Sequence, residues 1–125
     1  MLENVGTRFD WLRLALAKEA DDALLGARLL SNLSHQANYL GRYEQAVQLA
    51  RAAQATTTRT PSATVSSLLL AREARALASL GDAAGCASVL AKAERAFERR
   101  NAGSDPPWIG YFNCAELASE SALLP

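Results

Sequence analysis

"ANYLGRYEQAVQLARAA", residues 37–53, sets a glycine inside a run that otherwise reads as helix. After it, Ala46, Leu49, Ala50 and Ala53 recur at spacings of three to four, the period of one helical face. Before it, Leu29, Leu30, Leu33, Ala37 and Leu40 do the same, so these residues are expected to face packing partners. A glycine in a helix interior costs about 1 kcal/mol relative to alanine. Gly41 is therefore better read as a break: one helix ends there in a residue free to take positive φ, and an antiparallel partner begins.

The same event recurs in "ARALASLGDAAGCASVLAKAE", residues 74–94. Leu40-Gly41 aligns with Leu80-Gly81 at an offset of 40 residues. Under that offset Leu30 matches Leu70, Ala37 matches Leu77, Ala46 matches Cys86, Ala50 matches Leu90 and Ala53 matches Ala93. A helix pair repeated at this interval is the mark of an α-solenoid. Small residues at 46 and 86 imply closely packed pairs, which a side chain larger than cysteine at either place would force apart.

Outward from these turns the chain reads as helix almost throughout. Helices are expected over residues 8–20, 23–40, 62–79, 83–100 and 106–123, with a further helical pattern through Ala46, Leu49, Ala50 and Ala53 between the second and the fourth. Asp21 or Asp22 is the expected cap of the second. "ATTTRTPSA", residues 55–63, is the clearest break, with Thr60 as N-cap and Pro61 as first helical residue of the next helix. "NAGSDPP" is the other, with Asp105 as cap. The organisation expected is one domain over 1–125: a half unit at 8–20, repeats at 23–55 and 61–100, and a terminal helix at 105–123.

Composition agrees and narrows the function. Half of the 125 residues are hydrophobic but only 6% are aromatic, with alanine and leucine prominent, as in an all-α chain. The 13 basic and 13 acidic residues cancel. That balance argues against direct nucleic-acid contact and against reading helix-Gly-helix as a DNA-binding helix-turn-helix. No apolar run is long enough to span a membrane, and "MLENVGTRFDW" lacks the pattern of a signal peptide, so a cytoplasmic location is expected. Cys86 and Cys114 show no metal-ligand spacing and fall in apolar helical patterns, as buried free thiols do.

The pattern resembles the tetratricopeptide repeat, through Leu33, Gly41, Tyr43, Ala46 and Ala53 in the first unit and Leu70, Gly81, Cys86 and Ala93 in the second. It departs from that family in having leucine (Leu30 or Leu70) where an aromatic is usual early in the first helix, and in its longer period. The resemblance implies antiparallel helix pairs stacked as a short right-handed solenoid of about six helices. A narrower likeness adds "DPPWIGYFNCAELASESA", residues 105–122. In that order the motifs look like the C-terminal repeat domain of actinobacterial helix-turn-helix regulators. This likeness implies a piece of a longer transcriptional regulator whose DNA-binding part lies upstream, and a domain that binds a peptide, protein or small molecule or mediates homodimerisation. A general protein-interaction scaffold with no signal role is the alternative.

No catalytic set is visible. The single histidine, His35, has no metal-ligand partner at helical spacing except Tyr39, and its pair with Ser34 lacks an orienting acid. The reading is non-enzymatic, with no catalytic residue, cofactor or metal. The informative polar stripe is Arg28, Ser31, His35, Asn38 and Tyr39, which share one helical face. The corresponding face of 62–79 carries Leu68, Arg72, Arg75 and Ser79, and that of the last helix Ile109, Asn113 and Glu116. In a solenoid these faces line the concave surface. With arginines as its rim, such a groove would suit an acidic or carboxylate-bearing ligand. The same stripe also fits an ordinary solvated helix face. Trp11, and Trp108 with Phe112, read as core, and "KAERAFERR", residues 92–100, as a solvated outer face with i, i+4 ion pairs.

Overall fold

The computed structural model of the chain describes residues 23–57, 62–101 and 109. Among these residues the secondary structure is all helix. The elements are α1 (Ala23–Tyr39), α2 (Tyr43–Thr56), α3 (Ala63–Ser79) and α4 (Ala83–Glu98). Helices expected over 8–20 and 106–123, with Trp11, Trp108, Phe112, Cys114 and caps Asp21, Asp22 and Asp105, lie outside the described residues. The offset of 40 relates α1 to α3 at both ends and α2 to α4 at their starts.

Both hairpin turns close in the same way. Gly41 sits at φ 81° and Gly81 at φ 86°. Gly41 N–H donates to the Asn38 carbonyl at 3.1 Å and Arg42 N–H reaches back to Ala37 at 2.8 Å. Gly81 and Asp82 do the same to Ala78 and Leu77, each at 3.0 Å. This paired closure is the Schellman motif, in which a left-handed residue lets the last helical carbonyls find donors. Leu40 and Leu80 serve as the C-caps, and neither is the core residue expected of Leu40: each turn end holds its leucine out to solvent.

Two buried serines fix the direction of the pairs. Ser34 Oγ donates to the Ala46 carbonyl and Ser67 Oγ to the Ala93 carbonyl, both at 2.7 Å. These partners are 12 and 26 residues apart, centred on Leu40 and Leu80, so each pair runs antiparallel. A hydroxyl can reach the opposite backbone because Ala46 and Ala93 bear almost no side chain; both are fully buried. Cys86, at the place of Ala46, is buried too.

The core is one cluster, from Ala27, Leu30 and Leu33 of α1 through Val47 and Leu49 of α2 and Val65, Leu68 and Leu69 of α3 to Val89 and Phe97 of α4. Helix α3 touches all three others and is the most enclosed of the four. That is why Leu69 is fully buried whereas Leu29, its counterpart by offset, is half-buried. The α2–α3 junction carries a polar clasp. Glu73 of α3, buried, accepts from Arg51 Nε at 2.9 Å and from Gln54 Nε2 at 2.8 Å.

The start of α3 corrects the sequence reading. The cap is Ser62, extended at φ −138°, whose Oγ accepts from Val65 N–H at 3.2 Å. The cap expected at Thr60 is thus taken by Ser62, two residues later, and the helix begins at Ala63. The stretch 92–100 is likewise not wholly outward. Ala93, Ala96 and Phe97 are buried, and the Arg100 guanidinium covers the Phe97 ring at 4.1 Å.

A Cβ built at Gly41 or Gly81 meets nothing within 4 Å, so substitution there tests backbone conformation alone. Gly41→Val and Gly81→Val are each expected to lower stability by about 2 kcal/mol, and Gly41→Asn by less, because asparagine tolerates left-handed φ. Urea unfolding followed by circular dichroism measures all three; a Gly41→Val as stable as the parent would contradict the strain argument. The caps give a second test. Asp82 accepts from Gly85 N–H at 2.9 Å, whereas Arg42, at the same place before α2, makes no side-chain cap bond. Asp82→Ala should cost about 1 kcal/mol and Arg42→Ala clearly less in the same unfolding experiment.

Candidate binding face of α1 and α3

Contact between α1 and α3 brings two residues of the expected groove together across the hairpins. Arg72 Nη1 lies 3.4 Å from His35 Nδ1, on the exposed side of the contact. A hydrogen bond there requires Nδ1 to be the unprotonated ring nitrogen. Arg28 lies on the same face of α1 as His35, two turns earlier, and is exposed; Arg75 lies one turn beyond Arg72 and is half-buried. Ser79 Oγ, exposed, turns back to the Arg75 carbonyl at 3.2 Å.

Among the described residues, α1 and α3 hold Arg28, His35, Arg72 and Arg75 with one acid, Glu73. That acid is directed to α2, held by Arg51 and Gln54. The α1–α3 face is therefore basic by construction, although the chain as a whole is neutral. A carboxylate brought to such a face would meet a planar guanidinium fork suited to bidentate pairing.

Asn38 carries the other informative feature of the face. Its Oδ1 is buried and has no hydrogen-bond partner. Buried acceptors are nearly always satisfied, and an exception needs an explanation.

Other members of the expected stripe are placed differently. Ser31 and Leu68 are buried, and Ile109 is fully buried within the core cluster, so none of the three opens onto a groove. Tyr39 is almost fully exposed at the turn end of α1, beyond the face. Asn113 and Glu116 lie outside the described residues.

Sequence reasoning missed the Glu73 clasp and the two serine–carbonyl bonds. Glu73 had a signal, since it stands where the offset places the core residue Leu33 of the first pair. Ser34 and Ser67 had none, because a buried serine and a solvated one look alike in a pattern of spacings. Among the described residues no group of three or more His, Cys, Asp or Glu could hold a metal ion. No described helix is long and apolar enough to cross a membrane. Burial, and secondarily the nearby Asp82 carboxylate, push the Cys86 thiol up from its ordinary value. The thiolate is thus scarce near neutral pH, and Cys86 is a poor nucleophile.

Comparison with known proteins returned no matching family model, no matching curated protein and no matching solved structure.

Asn38 separates a structural asparagine from one kept for a ligand. Its counterpart in α3 is Ala78, so alanine fits this place in the turn. Asn38→Ala removes an unsatisfied buried oxygen and gains helix propensity. It should raise stability by about 1 kcal/mol, read as an upward shift in the urea midpoint with an unchanged slope. A loss of stability would mean that Asn38 serves the fold.

Proposed function

We propose that the chain is a tetratricopeptide-like binding domain, without enzymatic activity, of a bacterial transcriptional regulator. In this reading about six helices form a short right-handed solenoid, with residues 8–20 and 105–123 as flanking half-units. Its α1–α3 face takes a peptide, protein or small molecule bearing a carboxylate, or the domain pairs with a second copy, and either event biases the rest of the regulator. The domain itself contacts neither nucleic acid nor membrane, works in the cytoplasm, and needs no cofactor.

The observation that supports this best is the pairing of His35 with Arg72 at 3.4 Å. One basic face is assembled from both hairpins, so a ligand bound there tightens the junction between them. Its free energy is then available to shift whatever arrangement the flanking units hold. The repeated glycine turns support the solenoid part of the reading, since the same closure at φ 81° and φ 86° gives both pairs one geometry. A scaffold with no signal role would share the fold and differ only in lacking an upstream DNA-binding segment. Sequencing the gene upstream of residue 1 separates the two.

The test is a calorimetric titration of the chain with a panel of acidic peptides, amidated or free at the C-terminus. The expected result is saturable binding that prefers the free carboxylate. Arg72→Ala with Arg75→Ala should weaken it at least tenfold and leave the circular dichroism unchanged. Binding that is indifferent to both arginines would remove the groove from the proposal.

A further inference from the structure

We infer that the turn end of the two hairpins, centred on Tyr39, Leu40, Tyr43 and Leu80, is a self-association surface that pairs with the same surface of a second copy. The inference rests on the proposed reading only in its dimerisation limb. It is independent of any ligand on the α1–α3 face.

Four large hydrophobic residues of the described chain stand exposed, and all four gather here: Tyr39 at 87%, Leu40 at 48%, Leu80 at 43% and Tyr43 at 37%. The turn of the second hairpin joins that of the first, because Leu80 shares an open basin of about 400 Å³ with Gly41, Arg42, Tyr43, Glu44 and Gln45. The patch is thus continuous across both repeats. Folding does not require its aromatics. At the positions of Tyr39 and Tyr43 the second hairpin has Ser79 and Ala83, and its turn closes with the same hydrogen bonds. Exposed tyrosines are enriched in interface cores, where aromatic anchors carry most of the binding energy, and a contiguous exposed apolar patch marks an interaction site.

The charges around the patch favour a second copy as the occupant. Arg42 and Glu44 flank Tyr43, and Asp82 lies two residues beyond Leu80; all three residues are exposed. A two-fold contact sets each patch against its own copy. With that axis through Tyr43, which Arg42 and Glu44 flank, the Arg42 of one copy would meet the Glu44 of the other on both sides of the axis. A rim of single sign would have suited a partner of opposite charge; a rim of both signs is complementary to itself.

Light scattering on the eluting full chain, from micromolar to millimolar concentration, tests the inference. Wild type should pass from monomer to dimer. Tyr39→Ser with Tyr43→Ala, which gives the first turn the residues of the second, should weaken the dimer at least tenfold with unchanged circular dichroism. Arg72→Ala with Arg75→Ala should leave it unaltered, which separates this surface from the ligand face. Arg42→Glu alone and Glu44→Arg alone should each be monomeric, and an equimolar mixture of the two should recover the dimer. A wild type that stays monomeric throughout, or a dimer that survives Tyr39→Ser with Tyr43→Ala, overturns the inference. So does a charge-reversed mixture that fails to associate. None of these failures touches the peptide titration.

Discussion

The structure depends on two residues being able to hold positive φ at the end of a helix. At Gly41 and Gly81 the chain must reverse within three residues, and it must do so without abandoning the last carbonyls of α1 and α3. A left-handed residue resolves both demands, since it turns the following N–H groups back onto those carbonyls. The reversal then fixes the register of each pair. Once Leu40 and Leu80 are the pivots, Ser34 faces Ala46 and Ser67 faces Ala93, and small residues become obligatory where the helices approach most closely. Neither serine bond is worth much in net free energy, about 1 kcal/mol. What they impose is specificity, because a slip of one residue in either pair would bury a hydroxyl without an acceptor.

The junction between pairs follows a different rule. Within a pair the turn enforces proximity. Between α2 and α3 the link lies in residues 57–62, and packing must select the arrangement. There the packing of α2 on α3 is supplemented by the Glu73 clasp. Glu73 is buried while most of the Arg51 side chain remains in solvent. The arginine keeps its hydration as the carboxylate gains two donors, which lessens the desolvation cost that makes fully buried pairs marginal. The clasp says where α3 may sit on α2 more than how tightly.

How far the sequence could be read follows from these two rules. The turns, the all-helical class and the approximate extents of α1, α3 and α4 were legible from glycine placement and apolar spacing, which report local geometry. The expected groove was legible only in part. Arg28, His35, Arg72 and Arg75 do share the α1–α3 face, but Ser31 and Leu68 are buried. Spacing assigns a residue to a face of one helix; it does not say how wide a strip of that face a neighbouring helix covers. Leu40 misled for the related reason that apolar periodicity continues to the last residue of a helix after the packing partner has ended. The Thr60–Pro61 start signal was outweighed by Ser62, two residues beyond Thr60, whose hydroxyl meets Val65 N–H.

Internal repetition separates what the fold demands from what it merely permits. Positions 41/81, 46/86 and 53/93 hold glycine, a small residue and alanine in both copies, and the left-handed turn or the close helix approach favours those choices. Positions 38/78, 39/79, 42/82 and 43/83 differ: Asn against Ala, Tyr against Ser, Arg against Asp, Tyr against Ala. The same backbone closes around both sets, so folding explains neither the unsatisfied Asn38 oxygen nor the exposed tyrosines of the first copy. At Asp82 the second copy gains a helix cap that the first forgoes in favour of a surface cation. The first hairpin is thus the less optimised of the two at its turn. Its departures gather along one end and one face of the molecule, where local stability is most readily exchanged for recognition.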